Sequence, residues 1–155
     1  MDTQIDCEIL VHRLDLRKLR YKYSAFYDDR EWDKWLGLFT GDIVFDASEV
    51  PGGGVYEGKE AFSEFVEEHS EEARPFETHH ALHPRITVDG NEASGRWVLN
   101  EVSVESDGTV WWLQGEYIDE YRLVNHEWKF SSVKVIIDAH ASSNNVNVNI
   151  LNYSR

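Results

Sequence analysis

Two short segments of this chain carry side chains able to move protons on carbon. YSAFYDDREWD holds Tyr23 and Asp28 at the end of a helical pattern, and ETHHALHP holds a histidine doublet, His79-His80. A neutral imidazole with a free pKa of ~6.5 is a competent base at neutral pH, and a carboxylate behind it fixes the tautomer and steadies the cation. A phenol beside them could donate a hydrogen bond to a carbonyl oxygen that gains charge as an α-proton leaves. His79, Asp28 and Tyr23 are therefore the candidate catalytic set, and their chemistry needs no cofactor. The two segments lie about fifty residues apart, so only tertiary structure can join them.

Hydrophobic period gives the elements that must do so. Leu16, Leu19, Tyr23, Phe26 and Tyr27 recur at steps of three and four, with Arg17, Lys18, Arg20 and Lys22 between them, which predicts a first long helix. Asp28 reads as the N-cap of a second, short helix, because Glu31 stands three positions on as in a capping box. Trp32, Trp35, Leu36 and Phe39 form that helix's apolar side. IVFDASEV predicts a strand, Pro51-Gly52-Gly53-Gly54 a loop, and Phe62, Phe65 and Val66 anchor a third helix over about 59 to 72. From Thr78 onward the period falls to two. Turn residues at Asp89-Gly90, Ser106-Asp107-Gly108 and Asn125-His126 divide the remainder into four long strands of an antiparallel meander. Helices first and strands afterwards predict an α+β fold, a curved antiparallel sheet wrapped around N-terminal helices. One domain is expected over 1–155, with its core at about 10–138 and a polar tail at 139–155 that ends as an edge strand or a mobile end.

Strand parity narrows the candidates. His79, Ala81 and His83 share one face of their strand and His80 and Leu82 the other, so only one histidine of the doublet can enter a cavity. Glu101 follows Trp97 and Leu99 in W-x-L-x-E alternation and shares their face; a buried carboxylate needs a partner, which makes Glu101 a candidate polar group of the same cavity. Trp97, Leu99, Trp111, Leu113 and Tyr117, with His80, are the candidate substrate-binding residues, an aromatic-rich wall suited to a flat, ring-shaped, apolar molecule. No metal is expected: on a strand His79 and His83 are ~13 Å apart, too far to share one ion. GGVYEGKE approaches a phosphate-binding loop, but Glu60 stands where a Mg²⁺-binding hydroxyl belongs, so the segment reads as a surface loop.

Bulk properties remove several partner classes. There are 29 acidic residues against 15 basic, a formal net charge of -14, which repels phosphate backbones and anionic bilayers and argues against nucleic acid and membrane partners. Only six residues are Lys. A thin lysine count under an acidic excess suits a halophilic protein kept soluble in high salt. Cys7 is the single cysteine, so neither an internal disulfide nor a thiolate zinc site can form. The N-terminal segment lacks a basic stretch followed by an apolar core, and the setting expected is the cytoplasm.

RYKYSAFYDDREWDKWLGLFTGDIVFD, THHALHPRITVDGNEASGRWVLNE and GEYIDEYRLVNHEWKF together resemble SnoaL-like proteins of the nuclear transport factor 2-like superfamily, nearest to the bile acid 7α-dehydratases and scytalone dehydratases. The resemblance spans about 10 to 138 and implies a cone-shaped pocket. It places the bile acid dehydratases' catalytic Tyr, Asp and His on Tyr23, Asp28 and His79, the last two shared with scytalone dehydratases, and a further acidic residue of the bile acid enzymes on Glu101, where aspartate has become glutamate. The second active-site histidine of scytalone dehydratases has no counterpart; the position falls near Ser103. What the resemblance implies is a cofactor-independent lyase or isomerase, a dehydratase in particular, acting next to a carbonyl on a small cyclic or polycyclic substrate, in a homo-oligomer (dimer or trimer). The same fold also hosts polyketide cyclases and non-catalytic modules, either ligand-binding pockets or small subunits of ring-hydroxylating dioxygenases.

Overall fold

The structure, a computed structural model, describes residues 7–70 and 74–145. The VNVNI alternation of the tail falls outside them. The elements run α1 (Cys7–Asp28), α2 (Trp32–Leu36), β1 (Phe39–Asp46), β2 (Val55–Glu57), α3 (Gly58–Ser70), β3 (Phe76–Asp89), β4 (Glu92–Val104), β5 (Val110–Val124) and β6 (Glu127–Ser143). The strands form one six-stranded sheet in the order β2-β1-β6-β5-β4-β3. β3 to β6 are the antiparallel meander, and β1 joins β6 in parallel. The fold is α+β, helices first and a curved open sheet after them. Among the described residues no helix is long and apolar enough to cross a membrane.

The turns follow local backbone chemistry. Gly90 takes φ 57, and Asn125 and His126 take φ 50 and 66, the paired left-handed residues that match the twist of a two-residue hairpin. Sheet and helices bury an aromatic core of Tyr23, Trp35, Phe39, Phe45, Phe62, Phe65 and Phe130. Trp35 is its hub, 4.9 Å from the Phe39 ring and 5.1 Å from those of Tyr23, Tyr27 and Phe62.

Several local expectations need correction. β1 begins at Phe39 and ends at Asp46, so Ser48 to Val50 belong to the loop rather than the strand. The segment read as a surface loop before α3 contains β2, whose backbone pairs with β1. Ala139 to Ser143, placed in the tail, continue β6 against β5. Arg20 is not among the solvent-facing residues of α1: it is fully buried, because it sits on the same side as Leu16, Leu19 and Tyr23 and finds Asp119 across the core.

Candidate functional site

Asp28 is the last residue of α1, not the N-cap of α2. Beyond it Arg30 turns left-handed at φ 57, and Arg30 and Glu31 donate their backbone N–H groups to the carbonyls of Tyr27 and Phe26. That is a Schellman ending of α1. α2 takes Glu31 at its N-cap position, without a side-chain capping bond. The Asp28 carboxylate is thereby released from capping and turns to β3. Its Oδ2 accepts the backbone N–H of His79 at 3.1 Å and its Oδ1 meets His79 Nδ1 at 2.7 Å.

The other side of the imidazole is set by sheet register. His79 lies directly opposite Glu101 on β4. Residues so placed have Cβ atoms ~5 Å apart, within reach of a glutamate and a histidine on the same face. Glu101 Oε2 stands 3.3 Å from His79 Nε2. Both ring nitrogens therefore face carboxylates. The side chains of His79, Asp28 and Glu101 are 10%, 5% and 10% exposed, so this cluster is largely dry. Burial alone would lower the His79 pKa; Glu101 and Asp28 more than offset it and hold the imidazole well above its ordinary value. Burial works against the Glu101 charge in the same way, and His79 outweighs it, holding that carboxyl below its ordinary value. At neutral pH the pair is an imidazolium against a carboxylate.

Around the pair is a cavity of about 70 Å³ lined by Tyr23, Tyr27, His79, Leu99, Glu101 and Tyr117, with Val50, Pro51 and Gly53 from the β1–β2 loop on one side. Tyr27 sets its ring edge-on to the imidazole, centroids 4.9 Å apart. Burial pushes the phenols of Tyr23, Tyr27 and Tyr117 above their ordinary range, so all three remain hydrogen-bond donors. Behind them Arg20 and Asp119 form a fully buried ion pair with contacts at 2.6 and 3.1 Å. The Arg20 guanidinium carbon stacks 4.3 Å over the Tyr23 ring and 3.8 Å over that of Tyr117, fixing both walls of the cavity.

The structure brings Asp28, His79 and Glu101 together and sets Tyr23, Leu99 and Tyr117 around the same space. It places the remaining candidates elsewhere. Trp97 is buried behind the cavity, donating from Nε1 to the Tyr121 hydroxyl at 3.0 Å. Leu113 is buried but outside the lining. Trp111 lies toward the end of β5, its ring 6.2 Å from that of His140. His80 is exposed on the opposite face of β3, in a surface groove of about 580 Å³ shared with Tyr21, Ser24 and Leu82. His79 lines both the groove and the cavity. His83, expected on the face of His79, is exposed at a bulge with φ 51.

Four participants went unrecognised in the sequence. Tyr27 was visible only as one more residue of the α1 stripe. Glu77 precedes His79 by two and so shares its face, a parity signal that was there to use; it is buried and held by Arg74 at 2.5 Å. Arg74 lies in an irregular segment that carries no period. Arg20 gave its signal by completing the spacing of Leu16 and Tyr23. Glu77, His79 and Glu101 each bring a donor atom within 4.8 Å of the others, a set able to hold a cation. Arg74, with Arg30 3.9 Å from Glu77, already supplies positive charge there, and a metal would have to displace it.

This chain belongs to the SnoaL-like domain family, which matches residues 8–134. It has the nuclear transport factor 2-like architecture of that group. Among solved structures it is similar to a Novosphingobium aromaticivorans protein provisionally assigned as an aromatic ring hydroxylase (25% identity, TM-score 0.77, covering 84% of this chain and 92% of that one). A second protein from that organism, provisionally assigned as a scytalone dehydratase, is 20% identical with TM-score 0.78 over 94% of this chain and 97% of its own. The hexachlorocyclohexane dehydrochlorinase LinA-type3 of Novosphingobium barchaimii is 17% identical with TM-score 0.80 over 93% and 98%. No curated protein matches the chain significantly.

Proposed function

We propose that this protein is a cofactor-independent lyase or isomerase, a dehydratase in the first instance, that removes a proton next to a carbonyl on a small cyclic substrate. The observation that carries the reading is the imidazole of His79 held between two carboxylates, 2.7 Å from Asp28 and 3.3 Å from Glu101, beside a cavity walled by aromatic rings. Catalysis of proton transfer needs a base in fixed orientation, and Asp28 grips both the ring and the backbone of His79. Tyr23 donates to the carbonyl oxygen as the enolate forms. The similarity to structures assigned to elimination chemistry agrees with this choice. A homo-oligomer, dimer or trimer, is proposed with it and is measured by sedimentation.

The test is proton exchange at carbon. In deuterium oxide with a panel of cyclic ketones that includes β-hydroxy ketones, wild type should replace α-protons of at least one member, followed by proton NMR. His79→Asn should slow that exchange by about 10²–10⁴-fold, the general-base scale, without loss of folding. Equal exchange by both proteins would defeat the assignment of His79. The alternative, a small subunit of a ring-hydroxylating dioxygenase, is favoured by the first of the structural likenesses. It predicts that the chain co-purifies with an iron–sulfur large subunit, and that His79→Asn leaves oxygenase turnover unchanged.

A further inference from the structure

The geometry of His79 raises a difficulty for any mechanism in which it acts as a base. Nδ1 faces Asp28 at 2.7 Å and Nε2 faces Glu101 at 3.3 Å, so neither nitrogen offers a lone pair to the cavity while the imidazole is cationic. We propose that Glu101 is the second proton carrier of the site: it takes the Nε2 proton of His79 before the carbon–hydrogen bond breaks, and delivers that proton to the departing hydroxyl. This rests on the dehydratase reading and assigns the half of the reaction that reading leaves open.

The balance closes. Transfer across the 3.3 Å contact converts imidazolium and carboxylate into neutral imidazole and carboxylic acid. Neutral Nε2 then takes the α-proton, and the electron pair of the C–H bond moves into the enolate held by Tyr23. As the enolate collapses to the enone, the carbon–oxygen bond breaks and Glu101 protonates the oxygen, releasing water. His79 is again cationic and Glu101 again anionic, as at the start, with no proton drawn from solvent.

The other groups facing the cavity are poorer acids for this step. The phenols of Tyr23, Tyr27 and Tyr117 are all pushed above their ordinary range by burial. Glu77 is engaged by Arg74 at 2.5 Å, with Arg30 also nearby, so its oxygens are committed to guanidinium groups rather than to His79. Glu101 is the acid whose proton source is already in contact with it. Glutamate suits the role better than aspartate, since the extra methylene carries the carboxyl across the strand pair to Nε2.

Glu101→Gln separates this role from that of His79. With a β-hydroxy ketone that wild type dehydrates, the variant should lose about 10²–10⁴-fold in water release at every pH. Its α-proton exchange, which then requires Nε2 to lose its proton to solvent, should become pH-dependent and approach the wild-type rate as pH is raised. Relative to Glu101→Gln, Glu101→Asp, a shorter carboxylate, should recover part of the elimination and part of the neutral-pH exchange. If Glu101→Gln dehydrates at the wild-type rate, the proposal is wrong and the His79 reading stands. If exchange and elimination fall together and exchange does not recover as pH is raised, Glu101 only positions His79 and the proposal is again wrong. If wild type neither exchanges nor dehydrates any member, both fall.

Discussion

Replacing Arg20 by Met tests whether the cavity walls depend on a buried charge. Arg20 and Asp119 are both fully buried, joined by contacts of 2.6 and 3.1 Å, and Asp119 also accepts the Tyr121 hydroxyl at 2.6 Å. Met fills most of the space of the arginine stem, so the substitution removes charge more than volume. It leaves Asp119 in the core with one hydrogen bond where it had three. Breaking one side of such a pair costs about 3–5 kcal/mol, because the remaining ion is buried without compensation. For a chain of this length each kcal/mol lowers Tm by about 2–4 °C, giving a fall of roughly 6–20 °C. Asp119→Asn alone should be similarly costly, since it strands the guanidinium. The double variant removes both charges and should be less destabilised than the two singles summed, by about 2 kcal/mol or more. Urea unfolding followed by tryptophan fluorescence and by circular dichroism gives each value. Because Arg20 stacks on Tyr23 and Tyr117, the folded single variant should also raise KM more than it lowers kcat. A cost under about 1 kcal/mol for Arg20→Met, or strict additivity in the double variant, would refute the reasoning.

Three further outcomes follow from the site. The His79–Glu101 pair makes stability depend on pH: the raised histidine contributes fully below its ordinary 6.5 and loses that as pH rises through the folded-state value, whereas the lowered glutamate contributes above its ordinary 4.5 and loses that as pH falls through its own. Wild type should therefore exceed Glu101→Gln in stability most between those two values, and a difference that stays constant up to about pH 9 would contradict an ionised pair. Asp28→Asn keeps the shape but removes the charge that orients the imidazole, and α-proton exchange should fall by about 10²-fold or more with the fold intact by circular dichroism. Gly53 lies in the loop that closes the cavity, and a Cβ there would strike the Ala47 carbonyl; Gly53→Ala should displace the loop and change KM more than kcat, and unaltered kinetics would mean that the loop does not govern entry.

The fold was legible because its two periods are clean. The α1 stripe of Leu16, Leu19 and Tyr23 and the alternation through β4 and β5 each report one buried face, and the turns advertise themselves through residues that tolerate positive φ. The helix boundary at Asp28 was not legible, because a carboxylate there satisfies a capping pattern as well as it satisfies a distant imidazole. Local sequence records the first possibility and is silent on the second. Arg20 illustrates the same limit. An arginine on an apolar stripe looks like an interruption until its partner, Asp119, is brought beside it by the sheet.

The doublet shows where reading parity alone stops. On β4, Trp97, Leu99, Glu101 and Ser103 all point inward, so the question is which histidine opposes Glu101. From the Asp89–Glu92 pair of the hairpin the ladder runs back with Ile86 opposite Gly95 and Arg85 opposite Arg96. Continued without a break, that register would bring His80 opposite Glu101 and turn His79 outward. A bulge between Leu82 and Arg85 shifts the pairing by one residue, with His83 at φ 51. Pro84 sits within it, a residue that cannot donate to a ladder and is tolerated at bulges and on edge strands such as β3. Beyond the bulge Leu82 opposes Val98, and His79 meets Glu101. A slip of one residue turns every side chain to the other face, so this local irregularity decides which imidazole enters the cavity. Which imidazole meets Glu101 therefore depends on four residues, LHPR, that lie outside the lining of the cavity.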